Sequence, residues 1–221
     1  MIVTIGTATY NVPLTSGSGS VQVPNLTAGL NAISASYGGD DNFASTTGSL
    51  NLTLSPEPLI VTVNSLSKPF DAPIKAGFLS GSMSGVVNGD SIGVTYSTTA
   101  TQASPVVAGG YLISASLSGS AISNYTVTIE PNGPGGVAGG TLTILPDSTV
   151  TLLGASATSV NSTTQVTLTA TVSNQTAYSI VSIPTGSVTF FNTVGTVTTQ
   201  IGTGQIDPAT GIATYVTTFA V

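Results

Sequence analysis

The chain has 221 residues with only 2 Lys or Arg and 8 Asp or Glu, so its formal net charge is −6. Nucleic-acid binding needs clustered cations and membrane insertion needs a run of about 18 apolar residues, so both are excluded. Adhesion to an anionic lipid surface also needs cations and is therefore disfavoured. Cysteine and histidine are absent, which removes disulfides, thiolate nucleophiles and the usual ligands of transition metals.

Strand-forming residues dominate the composition, and 66 residues are Ser or Thr. Short segments alternate apolar and polar residues with period two, which predicts half-buried strands. The clearest is 165–173, where Val166, Leu168, Ala170 and Val172 share one face. No stretch has helical periodicity, so the sequence predicts an all-β protein. In chain order, the predicted strands are residues 32–37, 50–54, 59–63, 124–129, 141–144, 149–153, 165–173, 187–192 and 213–219.

Two proline-containing joints interrupt this series of strands. Ser55-Pro56-Glu57-Pro58 follows one predicted strand and precedes the next, and Leu145-Pro146-Asp147-Ser148 is placed in the same way. Because proline has no N–H to donate, strand pairing stops at each joint. The sequence therefore predicts three pieces, residues 1–54, 55–146 and 147–221. Of these, only the middle piece approaches the roughly 100 residues of a complete β-sandwich.

The outer pieces carry motifs of one domain family. Residues 29–43 read Gly-Leu-Asn-Ala-Ile-Ser-Ala-Ser-Tyr-Gly-Gly-Asp-Asp-Asn-Phe, and residues 184–191 read Pro-Thr-Gly-Ser-Val-Thr-Phe-Phe. The first string resembles the closing part, and the second the opening half, of group 3 bacterial Ig-like domains, which occur in tandem on large exported proteins. The resemblance implies that 1–54 is the C-terminal part of one repeat and 147–221 the N-terminal part of another.

The middle piece is similar to a different module, the MBG-type domain of bacterial surface proteins. The similarity departs from the family pattern at Lys68-Pro69-Phe70-Asp71, where Lys-x-Tyr-Gly is usual. Both resemblances imply tandem immunoglobulin-like β-sandwich modules with incomplete terminal ones, neighbouring Ig-like repeats as partners, and an extracellular or cell-surface location within a longer exported bacterial protein. The segments that carry the MBG similarity are 85–90, 96–100, 110–113, 123–127 and 140–144.

Catalysis is not expected from this sequence. Triad chemistry needs His or Cys, and both are absent. Lys68 and Lys75 lie in a turn-rich, proline-flanked segment outside any clear strand, so we expect solvated side chains rather than a Ser-Lys site or a Lys-Asn cross-link. The eight acids are spread over all three pieces, mostly in turns or linkers, which disfavours a two-carboxylate glycosidase site. We expect no enzyme, no catalytic residues and no cofactor-binding residues.

Calcium is the one cofactor that the sequence leaves open. Asp40, Asp41 and Asn42 place hard oxygen ligands together in a glycine-rich turn, as calcium requires. The competing interpretation is structural, because Asp and Asn bond their own backbone in turns. Asp90 is a weaker calcium candidate, because Asn88-Gly89-Asp90 is the sequence typical of a β-hairpin turn. Each joint contains one acid, Glu57 at the first and Asp147 at the second. A single carboxylate supplies too few oxygen ligands to favour a cation site there.

The predicted function is a structural spacer, or stalk, in a large surface protein. The alternative is an adhesin-type module that contacts glycans or proteins through its loops. Tyr10 and Tyr178 are the candidate exposed rings for such contacts, because the other aromatic residues fall within strand patterns or family motifs. A further possibility is that 1–54 completes 147–221, with strand 30–37 paired to strand 165–173.

Overall fold

The computed structural model describes residues 1–175 and 182–219, and these residues form sixteen strands and two short 3₁₀ turns. The chain is all-β, and its several sheets are consistent with β-sandwich modules. The first eight strands are β1 (Ile2–Ile5), β2 (Ala8–Asn11), β3 (Gly29–Tyr37), β4 (Thr46–Leu54), β5 (Glu57–Val63), β6 (Leu66–Pro69), β7 (Gly81–Ser84) and β8 (Gly93–Thr98). The remainder are β9 (Tyr111–Ser118), β10 (Tyr125–Glu130), β11 (Gly140–Leu145), β12 (Thr149–Ala155), β13 (Gln165–Asn174), β14 (Ser187–Val194), β15 (Val197–Gln205) and β16 (Ile212–Thr218).

Period-two alternation is the signal that located these strands. Each of the nine predicted segments overlaps an observed strand, so these predictions are confirmed. In β13 the predicted inner face is buried, with Val166 at 2% and Ala170 at 0% exposure. Alternate residues of β5 are likewise buried, since Leu59 and Val61 are both 0% exposed. One face of each strand therefore supplies core side chains while the hydroxyl-bearing face meets solvent.

Contacts within the chain define two compact units. The first contains Met1–Ser65, Leu79–Thr98 and Leu112–Thr141. The second contains Leu66–Phe78, Thr99–Tyr111 and Leu142–Val221. The division of the sequence into residues 1–54, 55–146 and 147–221 stays a prediction.

The first 54 residues supply a single four-stranded sheet in the first unit, with strand order β2-β1-β3-β4 and antiparallel pairing throughout. Residues that pair across strands share a face, so Ile33 and its partner Leu50 lie on the same side of the sheet. Near β2 this apolar side is covered, because Val12 is 3% exposed. Along β4 it is open, since Leu50 is 57% and Leu52 is 41% exposed.

The rest of the first unit shows two layers facing each other. The first layer has the strand order β10-β5-β7, with β10 parallel and β7 antiparallel to β5. β8 and β9 pair antiparallel in the second layer. A Cβ added to Gly81 of β7 would lie 2.6 Å from the hydroxyl oxygen of Tyr96 on β8. The two layers are therefore in van der Waals contact at this glycine, as in a sandwich.

In the second unit, β6 pairs parallel with Leu142–Leu145 of β11. The last piece forms a three-stranded antiparallel sheet, β12-β13-β16, and a two-stranded one, β14-β15. The rings of Phe190 on β14 and Tyr215 on β16 stack with centroids 5.8 Å apart, and the Tyr215 hydroxyl donates to the carbonyl oxygen of Ile201 on β15. These contacts join the two sheets of the last piece into a small sandwich.

Both edges of β3 are occupied, by β1 and β4, and both edges of β13 are occupied, by β12 and β16. A strand has only two edges, so residues 30–37 cannot also pair with residues 165–173. The idea that the first piece completes the last one by this pairing is wrong.

Close approach of the two sheets at Gly202 of β15 yields a stability prediction. A Cβ at Gly202 would overlap the ring of Tyr215, whereas a Cβ at Gly154 of β12 would meet no atom nearer than 3.8 Å. We expect Gly202→Ala to lower the free energy of unfolding by about 1–3 kcal/mol through overpacking. The matched control Gly154→Ala should change it by less than about 1 kcal/mol. Urea unfolding of both variants measures the difference, and equal effects would contradict the sandwich contact.

Candidate functional site

The calcium candidates lie in the turn between β3 and β4. The Asp40 carboxylate accepts hydrogen bonds from the hydroxyl of Tyr37 at 2.6 Å and from the backbone N–H groups of Asn42 and Phe43 at 2.8 and 2.9 Å. The Tyr37 hydroxyl, followed by the backbone donors, holds the pKa of Asp40 below its usual range, and the same bond raises the pKa of Tyr37. Both oxygens of Asp40 are therefore engaged in shaping the turn.

The Asp40 turn contains two neighbouring acids, Asp40 and Asp41. Within residues 1–175 and 182–219, no three Asp, Glu, His or Cys residues are grouped so that they could hold a metal ion. Asp41 and Asn42 are exposed neighbours in the same turn. The turn interpretation of Asp40 is thus supported by named hydrogen bonds, and calcium at this turn stays a prediction.

An open groove lies beside this turn on the first sheet. It has a volume of about 720 Å³, and Met1, Leu14, Tyr37, Asp40 and Phe43 are among its lining residues. The Phe43 side chain is 68% exposed, so a flat apolar ring is available next to the Tyr37–Asp40 hydrogen bond. Tyr10, the predicted exposed ring, is half-buried on β2, and Tyr178 lies outside the described residues. The sequence alone did not mark Phe43 as an exposed ring, because this residue belongs to the family motif string 29–43.

Asn88-Gly89 forms the predicted tight turn. Both residues have positive φ, 57° and 72°, and the N–H of Asp90 donates to the carbonyl oxygen of Val87 at 3.0 Å. The hairpin interpretation is wrong, however, because the turn connects β7 to β8 and these strands lie in different sheets. A type I′ turn sequence specifies the local reversal, whereas strand pairing depends on which layer buries each strand.

Asp90 instead anchors the buried ring of Tyr125. The Tyr125 hydroxyl donates to the Asp90 carboxylate at 2.7 Å and accepts a hydrogen bond from the N–H of Val87 at 3.0 Å. Burial, followed by the bond to Asp90, raises the pKa of Tyr125. The hydroxyl of a 7% exposed tyrosine is thereby satisfied, and the 85–90 segment is fixed to β10. Asp90 therefore has a structural partner within the first unit.

The acids of the two joints differ in their surroundings. Glu57 is exposed at the start of β5 and lines a small cleft of about 80 Å³, whose other lining residues include Asp90 and Asn124. Asp147 accepts a hydrogen bond from the N–H of Ser148 through one oxygen at 2.9 Å. Its other oxygen is buried and has no hydrogen-bond partner among the described residues. Neither acid belongs to a group of three potential metal ligands within the described parts of the chain.

Lys68 and Asp71 form the least expected feature of the second unit. Lys68 lies in strand β6, is 3% exposed, and donates from Nζ to the carbonyl oxygen of Gln102 at 3.0 Å. The expectation that Lys68 is solvated and outside a strand is therefore wrong, whereas Lys75 is exposed as expected. Burial lowers the pKa of Lys68, and the negative charge of Asp71 opposes that shift.

Asp71 itself is 0% exposed, and neither of its carboxylate oxygens has a hydrogen-bond partner among the described residues. Its backbone φ is +59°, in the left-handed region that glycine tolerates best and Asp next best. Asp71 stands where the Lys-x-Tyr-Gly pattern has glycine, so the turn keeps the glycine conformation but gains a carboxylate. The Asp71 carboxylate favours the charged form of Lys68 electrostatically, but no hydrogen bond joins the two side chains. The departure at Asp71 was visible in the sequence, but its burial was not.

No catalytic constellation emerges from these residues. The two buried charged groups, Lys68 and Asp71, are closed off from solvent, whereas the open groove has one carboxylate, Asp40, already bonded to Tyr37. Acid–base or nucleophilic catalysis needs reactive groups that converge on an accessible cleft. Among the described residues, no helix is long and apolar enough to cross a membrane.

Comparison with known families identifies the middle of the chain. Residues 59–133 match the family model of the MBG domain (YGX type), which covers about a third of the sequence. This confirms the MBG part of the resemblance and indicates a domain of bacterial surface proteins. The group 3 Ig-like resemblance of the outer pieces has no corresponding match. No curated protein and no solved structure matched the chain.

The buried pair predicts an asymmetric mutational response. Lys68→Met removes the positive charge near the buried Asp71 carboxylate and the hydrogen bond to the Gln102 carbonyl, and we expect a loss of about 1–3 kcal/mol in the free energy of unfolding. Lys68→Met combined with Asp71→Gly removes both charges and suits the positive φ, so most of that loss should be recovered. Urea titrations of the wild type and both variants measure this, and a double variant as unstable as Lys68→Met would contradict the charge pairing.

Proposed function

We propose that the chain is a non-catalytic spacer segment of a large secreted or cell-surface bacterial repeat protein. The observation that carries this proposal is the MBG match over residues 59–133, with strand-rich sheet modules on either side of it in the sequence. Repeated sandwiches hold their ends apart and need no reactive site to do so. The low content of charged residues, 5%, also limits nonspecific electrostatic contacts.

The flanking pieces are proposed to be parts of group 3 Ig-like repeats, 1–54 the closing part and 147–221 the opening part. Two features support this assignment. The motif strand 29–37 coincides with β3, and the Gly-Asp pair that follows it forms the Asp40 turn. The Pro-Thr-Gly string leads directly into β14, which supplies the buried Phe190. The partners of the chain would then be neighbouring repeats of the same exported protein.

The first joint has the features of a stiff connection. Only Ser55 and Pro56 separate β4 from β5. Within the same unit, the N–H of Ala28 donates to the side-chain oxygen of Asn124 at 2.9 Å, which ties the loop before β3 to the residue before β10. A two-residue linker that contains proline has few accessible conformations, and a hydrogen bond across the joint reduces them further. Such a connection transmits direction along a stalk.

We also propose that the spacer needs no cofactor. The strongest calcium candidate, Asp40, already accepts three hydrogen bonds, so a cation would have to replace donors that hold the turn together. Calcium also prefers six to eight oxygen ligands, more than Asp40, Asp41 and Asn42 supply by themselves.

A binding role is the second candidate, and the groove beside Phe43 favours it. An exposed aromatic ring next to a carboxylate and a phenol is the combination by which protein surfaces hold saccharides, the ring stacking on the sugar and the oxygens bonding its hydroxyls. The ligand class for this alternative is a neutral glycan, and the contact lies on the β3–β4 turn of the first sheet.

Saccharide binding separates the two candidates. For a spacer, we expect the wild-type chain to show no binding above background on an array of neutral glycans. For the alternative, binding would appear, would be lost in Phe43→Ser, and would persist in the control Phe191→Ser, which removes another exposed ring (59% exposed) in the last piece. Binding that follows this pattern would contradict a pure spacer function.

A further inference from the structure

Among the described strands, β4 is the longest edge strand whose pairing is uninterrupted. Its nine residues, Thr46–Leu54, pair with β3 one to one without any register shift. No other described strand pairs with its outer edge, and eight of its nine residues are exposed. The outer edge thus offers a row of backbone N–H and C=O groups to solvent.

Protected edges elsewhere in the described chain show what β4 lacks. β2 and β7 have only four residues each, and β6 ends in Lys68-Pro69. β15 is as long as β4, but its pairing shifts register between Phe190 and Phe191 of β14. Shortness, proline, lysine and bulges are the devices by which sheets avoid pairing with other chains, and β4 has none of them.

The chemistry of this edge defines its occupant. Unpaired main-chain donors and acceptors at strand spacing accept an extended strand, and the open apolar face beside them favours one with alternating leucines. β4 itself has that pattern, with Leu50, Leu52 and Leu54 on one face. It contains no charged residue, and residues 1–54 contain only two acids, so two copies can approach with little repulsion.

We propose that β4 is a self-association surface, through which two copies of this chain pair antiparallel about a two-fold axis and join their first sheets into one of eight strands. With the axis at Leu50, the two copies of Leu50 oppose each other, and Leu52 opposes Gly48. Leu50, which is 57% exposed, then gains the Leu50 side chain of the other copy as an apolar neighbour. This surface goes beyond the spacer function and does not depend on it.

The polar face of β4 allows a test that leaves the sheet's apolar side intact. Ser49 and Asn51 are exposed on that face and oppose each other across the proposed axis. Ser49→Lys combined with Asn51→Lys places lysines opposite one another across the interface. Ser49→Glu combined with Asn51→Glu places glutamates opposite one another in the same way. We expect each double variant alone to weaken dimerisation at least about tenfold, measured by sedimentation equilibrium. An equimolar mixture of the Lys and Glu variants should recover the dimer, because opposite charges then face each other.

β12 supplies the matched control. It is the other long exposed edge with an apolar sequence, so Val150→Lys combined with Leu152→Lys should leave dimerisation of the chain unchanged. The wild type is expected at twice its 21.8 kDa mass. A wild type that stays monomeric up to about 100 µM would overturn the proposal, as would dimers lost through the β12 variant but not the β4 variants. If the Lys pair fails to fold, Asn51→Lys and Ser49→Glu are measured alone and mixed. The mixture places the new lysine opposite the new glutamate and should dimerise more tightly than either single variant alone, and equal dimerisation in all three samples would overturn the proposed register.

Discussion

The structure depends on how each strand's apolar face is covered. Because the chain has so few charged residues, period-two alternation is its main folding signal, and it gives strands such as β4 and β13 one hydroxyl-bearing and one apolar face. An apolar face is stabilised only when a second layer buries it. Where β5 is covered, Leu59 and Val61 are fully buried, whereas along β4 the equivalent leucines remain largely exposed. Burial therefore concentrates stability in the covered strands.

Polar side chains contribute less to the fold than apolar burial does, and each acts on its immediate surroundings. Asp40 and Asp90 each hold a turn by bonding a tyrosine hydroxyl and nearby backbone, and the Lys68–Asp71 pair buries two opposite charges together. Asp40 lines the open groove and Asp90 a small cleft, and each carboxylate already accepts a hydrogen bond from a tyrosine hydroxyl. The MBG match places the same kind of module in the setting of bacterial surface proteins.

Strand positions and faces could be predicted from the sequence because alternation is a local property, as the inner face of β13 shows. Strand partners could not, because the parallel pairing of β10 with β5 joins residues more than sixty positions apart. The burial of Lys68 was missed for the same reason: a proline-flanked lysine looks solvated until distant segments enclose it. The Asp40 turn could be predicted from the sequence, because its hydrogen bonds join residues at most three positions apart.

Hydrogen exchange tests the central claim, that coverage by a second layer sets local stability, most directly. β4 and β5 are adjacent in sequence and lie in the same unit, but β4 is an edge strand and β5 a central one, so only those β4 amides that pair with β3 are compared. Mass-spectrometric exchange, at a concentration where the chain is monomeric, should show much slower exchange for Leu59, Val61 and Val63 amides than for those of β4. Equal protection of the two strands would contradict the account, because their stability would then not follow from burial.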